Sequence, residues 1–184
     1  MSLRQNLEKN QPLVAGLAFA ALALAALLIY FRMSGSGPIG VFFYDLNTKT
    51  LVGVDSDTLA PATVDGGTFA YGEGTGGSAV QAGIFACSDD VSFEPGMTAE
   101  DIRAAGGELV WIKRYPLSKR DLIEQMRSGE TPDEAAYFKA NGLPVLMSDP
   151  TGTSWVPELS PEGQELSKRA AEVCDGGKSR FVLP

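Results

Sequence analysis

The feature that most constrains this chain is an uninterrupted run of nineteen apolar residues, Leu13 to Phe31, which Arg32 ends. As a helix rising about 1.5 Å per residue, the run is roughly 28 Å long, close to the hydrocarbon thickness of a bilayer. It is typical of a cleaved secretion signal, a retained membrane anchor, or the packing helix of a filament. A signal peptide has a shorter apolar core followed by a small-x-small cleavage site, whereas such triplets lie inside this run. We therefore predict a retained transmembrane helix.

The charges on either side of the run predict its orientation. Arg4, Lys9 and the amino terminus precede it, whereas only Arg32 follows it before Lys49. Because basic residues concentrate on the cytoplasmic side, we expect a single-pass protein of the cell membrane with a cytoplasmic N-terminus and a periplasmic or extracellular body. The predicted organisation is an arm and transmembrane helix over residues 1–32, a linker over residues 33–40, and an extracytoplasmic α+β domain over residues 41–184.

Small residues on the apolar run predict contact with other helices. Gly16 and Ala20 are four positions apart, as are Ala21 and Ala25, and this spacing lets a second helix approach closely in lipid. The alternative is that alanine is a common filler in a single anchor. Type IV pilins also carry an N-terminal apolar helix, but the pilin pattern needs a Gly-aromatic cleavage site and an early glutamate. Neither is present in the run, so the resemblance to pilins is architectural only.

The cysteine and histidine counts limit the chemistry. Cys87 and Cys174 are the two cysteines, and their separation fits neither a CxxC motif nor a metal site. In an exported domain they predict one disulfide, and the alternative is two buried free thiols. The chain has no histidine, which excludes hydrolases with an imidazole base, histidine zinc sites and histidine-ligated haem. We therefore expect no enzyme, no cofactor and no metal.

Local patterns predict an α+β fold in which a small, mostly antiparallel sheet with several short helices follows the transmembrane helix. Strands are expected over residues 41–45, 50–54, 80–86 and 108–115, and near 145–147 and 155–156. Helices are expected from Thr98 with a capping box to Asp101, from a Ser118 cap to Arg127, over residues 131–142, and over residues 160–174. Residues 56–79, which hold many glycines, are expected to be irregular.

Two glycine motifs resemble nucleotide-binding motifs, but each lacks a feature that a nucleotide site requires. Gly72, Gly74 and Gly77 spell GxGxxG, but a dinucleotide site needs this motif between a strand and a helix, and the residues that follow are strand-like. We interpret this motif as a flexible loop. The "GGKS" sequence at residues 176–179 resembles the end of a P-loop, but Glu172 occupies the position of the required first glycine.

Charge is unevenly distributed along the chain. Residues 34–101 hold ten acidic residues and one basic residue, whereas residues 103–127 hold six basic and three acidic residues. The basic stretch offers a candidate interaction patch of Lys113, Arg114, Lys119 and Arg120. In the acidic half, Asp55, Asp57, Asp89 and Asp90 are candidate Ca²⁺ ligands, but their spacing is not that of an EF-hand. We favour the interpretation that these side chains are simply solvated. The net charge of −8 argues against nucleic acid as a partner.

Four short motifs span most of the chain beyond the anchor: "FFYDLNTKTL" from Phe42, "FAC" ending at Cys87, "WIKRYP" from Trp111, and "WVPELSPEGQEL" from Trp155. With the late Cys174, this layout resembles uncharacterised single-pass membrane proteins of planctomycete-type bacteria. The resemblance implies an exported α+β domain and transfers no catalytic residue.

These observations predict a non-enzymatic, membrane-anchored structural or accessory subunit of a larger membrane assembly. Its expected partners are other membrane subunits or copies of itself, and the lipid bilayer through Leu13 to Phe31. The alternatives are a pilin-like filament subunit, and a small extracytoplasmic binding module or enzyme that uses residues such as Asp89 or Asp90.

Overall fold

The structure, a computed structural model, describes residues 40–130, 138, 142–174 and 178–184. The predicted transmembrane helix, with its packing residues Gly16, Ala20, Ala21 and Ala25, lies outside these residues, as does most of the helix expected over residues 131–142. No helix in the described part of the chain has the length and apolar character needed to cross a membrane. By its internal contacts the chain divides into Met1–Pro38 and Ile39–Pro184, and the described residues belong to the second unit.

The described residues form short strands and helices joined by turns. The strands are β1 (Val41–Asp45), β2 (Thr50–Val54), β3 (Thr68–Tyr71), β4 (Gly74–Gly77), β5 (Ala79–Ala86), β6 (Gly107–Arg114), β7 (Leu146–Ser148), β8 (Val156–Pro157) and β9 (Arg180–Phe181). The α-helices are α1 (Ala99–Ala104), α2 (Arg120–Arg127) and α3 (Pro161–Glu172), and one 3₁₀ turn, Leu117–Lys119, precedes α2.

One antiparallel sheet organises the unit and confirms the predicted α+β class. Its strand order is β2-β1-β5-β6-β7-β8, and every pairing between the described strands is antiparallel. The strand β9 pairs with the end of β5, on the edge where β1 pairs with its beginning. The hairpin of β3 and β4 forms a separate two-stranded sheet.

Alternate residues of the same strands build two different faces. On the face that we call the first face, Phe42, Tyr44, Ile84 and Ile112 belong to one continuous core, which Tyr71 of β3, Ile102 of α1 and the Trp155 ring also join. On the opposite, second face there are two separate clusters. One surrounds Phe43 and is covered by Ala60 and Ala62, and the other surrounds Trp111 and Met147 and is covered by Ala170 of α3.

A β-bulge in β6 widens the second face. Gly83 pairs with Trp111 whereas Ile84 pairs with Leu109, so Val110 is an extra residue opposite β5. Both Val110 and Trp111 therefore contribute to the cluster under α3. A Cβ atom at position 83 would overlap the indole ring of Trp111, so glycine at this position lets the ring lie across the strand.

Several local predictions are confirmed. The first hairpin has its turn at Lys49, which adopts a positive φ of 60°. At α1, the Thr98 side chain and Asp101 form the expected capping box, and these hydrogen bonds from Thr98 lower the pKa of the Asp101 carboxyl. Ser160 caps α3 by accepting a hydrogen bond from the Gly163 backbone N–H.

Two local predictions are wrong. Ser118 does not cap a helix, because it lies inside the 3₁₀ turn and the first α-helical residue is Arg120. Residues 56–79 are not irregular throughout, because β3 and β4 form a hairpin there. The glycines of β4 allow close approach: a Cβ at Gly77 would overlap the Ala62 backbone, and one at Gly76 would lie 2.6 Å from a Leu117 methyl carbon.

Candidate binding groove

The two cysteines are joined in the structure. Cys87 directly follows β5, Cys174 lies two residues beyond the end of α3, and their sulfurs are bonded at 2.08 Å. The bond closes a loop between positions 87 apart and ties the last helix to a central strand. The predicted pairing of Cys87 with Cys174 is confirmed.

A groove of about 310 Å³ lies on the second face, between the sheet, the chain after β2, and α2. This volume is at the lower end of the range typical of small-molecule sites. Its floor is apolar, because Phe43 of β1 and Ile123 of α2 are both buried at its base. Leu59 and Val145 add partly buried apolar walls on either side.

The strand register places two polar side chains in this groove. Gln81 of β5 and Lys113 of β6 are directly opposite each other and project from the second face beside Phe43. The half-buried Gln81 amide makes no side-chain hydrogen bond within the described part of the chain, although it has two donors and an acceptor. The Lys113 ammonium is already occupied, because it pairs with Glu158 and lies 4.1 Å from the centroid of the Trp111 ring.

Arg127 stands at the mouth of the groove. It also lines a more open adjacent cavity of about 630 Å³, which shares Thr58 and Leu59 with the groove. Its guanidinium donates a hydrogen bond to the Asp57 carbonyl oxygen and forms no ion pair with a carboxylate of the described residues. Its neighbour Arg120 differs, because Nε of Arg120 pairs with Glu124 at 3.0 Å. Arg127 is therefore the basic side chain of the groove whose charge is available to a ligand.

The candidate basic patch is divided by the fold. Lys113 and Arg114 are neighbours on β6 and so point to opposite faces of the sheet. Arg114 is only 3% exposed, which removes it from any exposed patch that the other three residues form. Lys119 lies 5.8 Å from the Phe138 ring centroid, and Arg120 donates to the Pro61 carbonyl oxygen.

Arg114 instead occupies a polar centre under the first face. Its guanidinium pairs with Glu73 and lies 4.2 and 4.6 Å from the ring centroids of Tyr71 and Trp155. The Nε atom of Arg114 is buried and has no hydrogen-bond partner among the described residues. Since Glu73 is on the β3–β4 turn and Arg114 is on β6, this ion pair links the hairpin to the main sheet.

Tyr71 in this centre is shielded from water. Its hydroxyl donates to the Gly77 carbonyl oxygen at 2.7 Å, and the side chain is buried. Burial raises the pKa of Tyr71 far above its usual value, and this effect outweighs the opposing attraction of Arg114 for the phenolate. Burial also raises the pKa of Tyr44 on β1.

The acidic residues considered for Ca²⁺ do not come together. Asp55 and Asp57 lie in the turn after β2, whereas Asp89 pairs with Arg180 at 2.7 Å and Asp90 is exposed beside it. Within the described residues, no three side chains of cysteine, aspartate or glutamate are grouped as a metal site. Of the GxGxxG glycines, Gly72 is in the turn of the second hairpin and Gly74 and Gly77 are the ends of β4.

An aromatic surface extends from the second face to the C-terminal strand. The Trp111 ring stacks on Phe181 of β9 with centroids 5.9 Å apart, and Phe85 meets both rings edge-on. Phe181 is 40% exposed, and Leu183, two residues further on, is 58% exposed. We refer to the exposed Phe181 and Leu183, together with the partly buried Phe85 and the buried Trp111 against which Phe181 packs, as the aromatic surface.

Sequence reasoning missed the groove because its residues come from separate segments of the chain. Gln81 was part of a predicted strand, and Arg127 was one charge in a basic stretch. The one available signal was strand alternation, which places Phe43 and Gln81 on the face opposite to Phe42 and Tyr44 once β1 and β5 are paired.

We compared the chain with known proteins, and no protein-family model, curated protein or solved structure matches it.

Proposed function

We propose that this protein is a non-enzymatic, membrane-anchored accessory subunit of a larger membrane assembly, with its α+β domain outside the cytoplasm. The observation that carries the proposal is the disulfide between Cys87 and Cys174. Structural disulfides persist in oxidising compartments and are rare in reducing ones. The disulfide therefore supports the topology that the charges around the apolar run predict.

The apolar run supplies the attachment. Leu13 to Phe31 is long enough to span a bilayer, and its small residues at four-residue spacing suit contact with another transmembrane helix. A domain held at the membrane in this way meets neighbouring subunits without a long search, because both are confined to one surface.

The aromatic surface supplies a contact site on the domain itself. An exposed aromatic side chain such as Phe181 is of a type enriched at protein interfaces, because it buries a large area with few rotatable bonds. Phe181 is held by β9 and by its stack on Trp111, so little of its conformational freedom is left to lose on binding. The expected partner is another membrane subunit, or a second copy of the chain, with an apolar surface of its own.

Topology and oxidation state test the compartment. Protease added from outside to cells whose outer layers have been opened should digest the domain while the cytoplasmic membrane is intact. Alkylation of the native protein without reductant should leave Cys87 and Cys174 unmodified. Protection of the domain, or two alkylated thiols, would contradict the proposal.

Crosslinking in native membranes tests the assembly. The wild type should give adducts larger than the monomer, and Phe181→Ser with Leu183→Ser should reduce their yield. Leu159→Ser is the matched control, because Leu159 is 77% exposed and is outside the aromatic surface. Gly16→Leu with Ala20→Leu should reduce adducts formed through the membrane. A wild type that gives only monomer would reject the accessory-subunit function.

A further inference from the structure

We propose that the groove on the second face binds the C-terminal residue of a peptide chain, or a small molecule of the same chemistry: an apolar side chain, an amide and a carboxylate. The proposal does not depend on the accessory-subunit function, because it concerns a small ligand and a different part of the surface.

The floor of the groove determines the size and polarity of the ligand side chain that it can hold. Phe43 and Ile123 are 2% and 1% exposed, so the base of the groove is closed and apolar. A volume of about 310 Å³ accommodates one branched aliphatic side chain with its backbone atoms, and not a large aromatic cofactor. Burying such a side chain supplies the non-specific share of the affinity.

Arg127 is the residue that would bind the carboxylate of the ligand. The charges of Lys113 and Arg120 are paired with Glu158 and Glu124, whereas Arg127 is hydrogen-bonded only to a backbone carbonyl oxygen within the described residues. A guanidinium can hold a carboxylate through two parallel hydrogen bonds, which a neutral amide cannot replace. The acidic Asp57 and Glu124 line the adjacent cavity, so the attraction for an anion is local to Arg127.

Gln81 is the residue that would hydrogen-bond the amide of the ligand. Its side chain stands on the floor between Phe43 and Lys113, with donors and acceptor unused within the described residues. A peptide unit presents one N–H and one C=O, which are complementary to that side-chain amide. The three parts of the ligand thus match the apolar floor, Arg127 and Gln81, and these residues belong to three separate elements of the fold, β1, β5 and α2.

The first test compares an acid with its amide. Full-length protein in lipid nanodiscs is titrated with N-acetyl-leucine and, separately, with N-acetyl-leucinamide, and binding is followed by calorimetry. We expect saturable binding of the acid with a Kd of about 1 mM or tighter, and binding of the amide weaker by about tenfold or more. Equal affinities, or no saturable binding of the acid, would overturn the proposal.

Variants locate the site. Arg127→Gln should abolish the preference for acid over amide, and Gln81→Ala should weaken both ligands by several fold while leaving the preference intact. Arg103→Gln is the matched control, because Arg103 is an exposed arginine on α1, away from the groove. Unchanged thermal unfolding of each variant shows that the fold is retained. An acid preference that survives Arg127→Gln would overturn the assignment.

A third ligand distinguishes the two sources of this chemistry. A hexapeptide that ends in leucine should bind at least tenfold more tightly than N-acetyl-leucine if the natural ligand is a chain end, because the preceding residues then also make contact. Equal affinity would assign the groove to a free N-acylated amino acid. The accessory-subunit function can fail its crosslinking test without affecting any of these results.

Discussion

The two faces of the sheet are made by alternate residues of the same strands, but they are closed in different ways. The first face has one continuous core, which the β3–β4 hairpin, α1 and the Trp155 ring all join. The second face has two separate clusters with a groove in the same face, and α3 covers only the cluster around Trp111. The helix α3 is held there by a covalent bond as well as by packing.

This difference separates stability from recognition. A continuous core buries most apolar area, so the first face should carry most of the free energy of folding. A divided face leaves polar side chains such as Gln81 and Lys113 partly accessible, which a binding site needs. Four predictions test this division of roles, in order of expected effect.

Removing the disulfide should have the largest effect. In the chain-entropy model, a cross-link between positions 87 apart stabilises the folded state by roughly 4.6 kcal/mol. The variant with Cys87→Ala and Cys174→Ala should therefore lose about that amount of unfolding free energy in urea titrations.

The two tryptophans can report where the structure loosens when the disulfide is absent, since Trp111 is on the second face and Trp155 joins the first. Two variants without the disulfide are compared, one carrying Trp155→Phe and the other Trp111→Phe. The emission of Trp111 in the first should shift at a lower urea concentration than the emission of Trp155 in the second. Simultaneous shifts at every urea concentration would show that the faces do not differ in stability.

Truncating the first-face core should come next. Ile112 is fully buried there, so Ile112→Ala should cost about 3 kcal/mol of unfolding free energy through lost burial and a cavity. The corresponding truncation on the second face, Val41→Ala, removes one carbon fewer and should cost about 1 kcal/mol, because Val41 is only partly buried at the groove. Equal losses in urea denaturation would refute the contrast between the faces.

Removing the partner of Arg114 should cost less. Glu73→Gln leaves a buried guanidinium without its counter-charge, and we expect a loss of about 2 kcal/mol. That is below the ~3–5 kcal/mol typical of a fully buried pair, because Glu73 is one third exposed.

The double variant, Glu73→Gln with Arg114→Met, tests the origin of that loss. It should recover part of the stability, since the apolar side chain needs no counter-charge. A double variant less stable than Glu73→Gln alone would show that Arg114 contributes mainly through its stacking on Tyr71 and Trp155.

The smallest effect should be the pH dependence due to Tyr71. Burial raises its folded-state pKa above the value of about 10 in an unfolded chain, so the unfolded state releases the proton first as the pH rises. Its contribution to stability is complete below about pH 10 and decreases as the pH rises towards the folded-state pKa, by about 1 kcal/mol at pH 11.

Urea titrations between pH 8 and pH 11 measure this decrease. Tyr71→Phe should be less stable at pH 8, because it loses the hydrogen bond to the Gly77 carbonyl oxygen, but its stability should decrease less steeply above pH 10. Tyr115→Phe serves as the matched control outside the first-face core. An unchanged slope in Tyr71→Phe would assign the alkaline loss to other groups.

The sequence predicts those parts of the fold in which local chemistry decides the structure. The hairpin of β1 and β2, the Thr98 capping box and the Ser160 cap all follow from short-range patterns that tertiary contacts do not override. The β3–β4 hairpin was missed because its glycines are turn-formers in isolation. Gly77 is tolerated in a strand because the Ala62 backbone packs against it, which only the folded structure reveals.

The candidate site was less predictable because it depends on pairing and burial. A run of basic residues is ordinarily exposed, yet the strand places Lys113 and Arg114 on opposite faces and buries the second. The disulfide was predictable from cysteine count and the expected compartment. The groove was not, because Phe43, Gln81 and Arg127 come together only after three separate segments have taken their places.

The pairing of Phe85 with Phe181 joins positions 96 apart, so β5 receives its last neighbour long after it is synthesised. Until residues 180–182 arrive, the edge of β5 beyond β1 has unpaired backbone groups, and the Trp111 ring lacks its stacking partner. During this interval the chain has an unpaired strand edge next to an uncovered aromatic ring, and such surfaces make folding intermediates prone to aggregation. Pairing of β9 with β5 covers both the strand edge and the ring, and so removes this source of aggregation during folding.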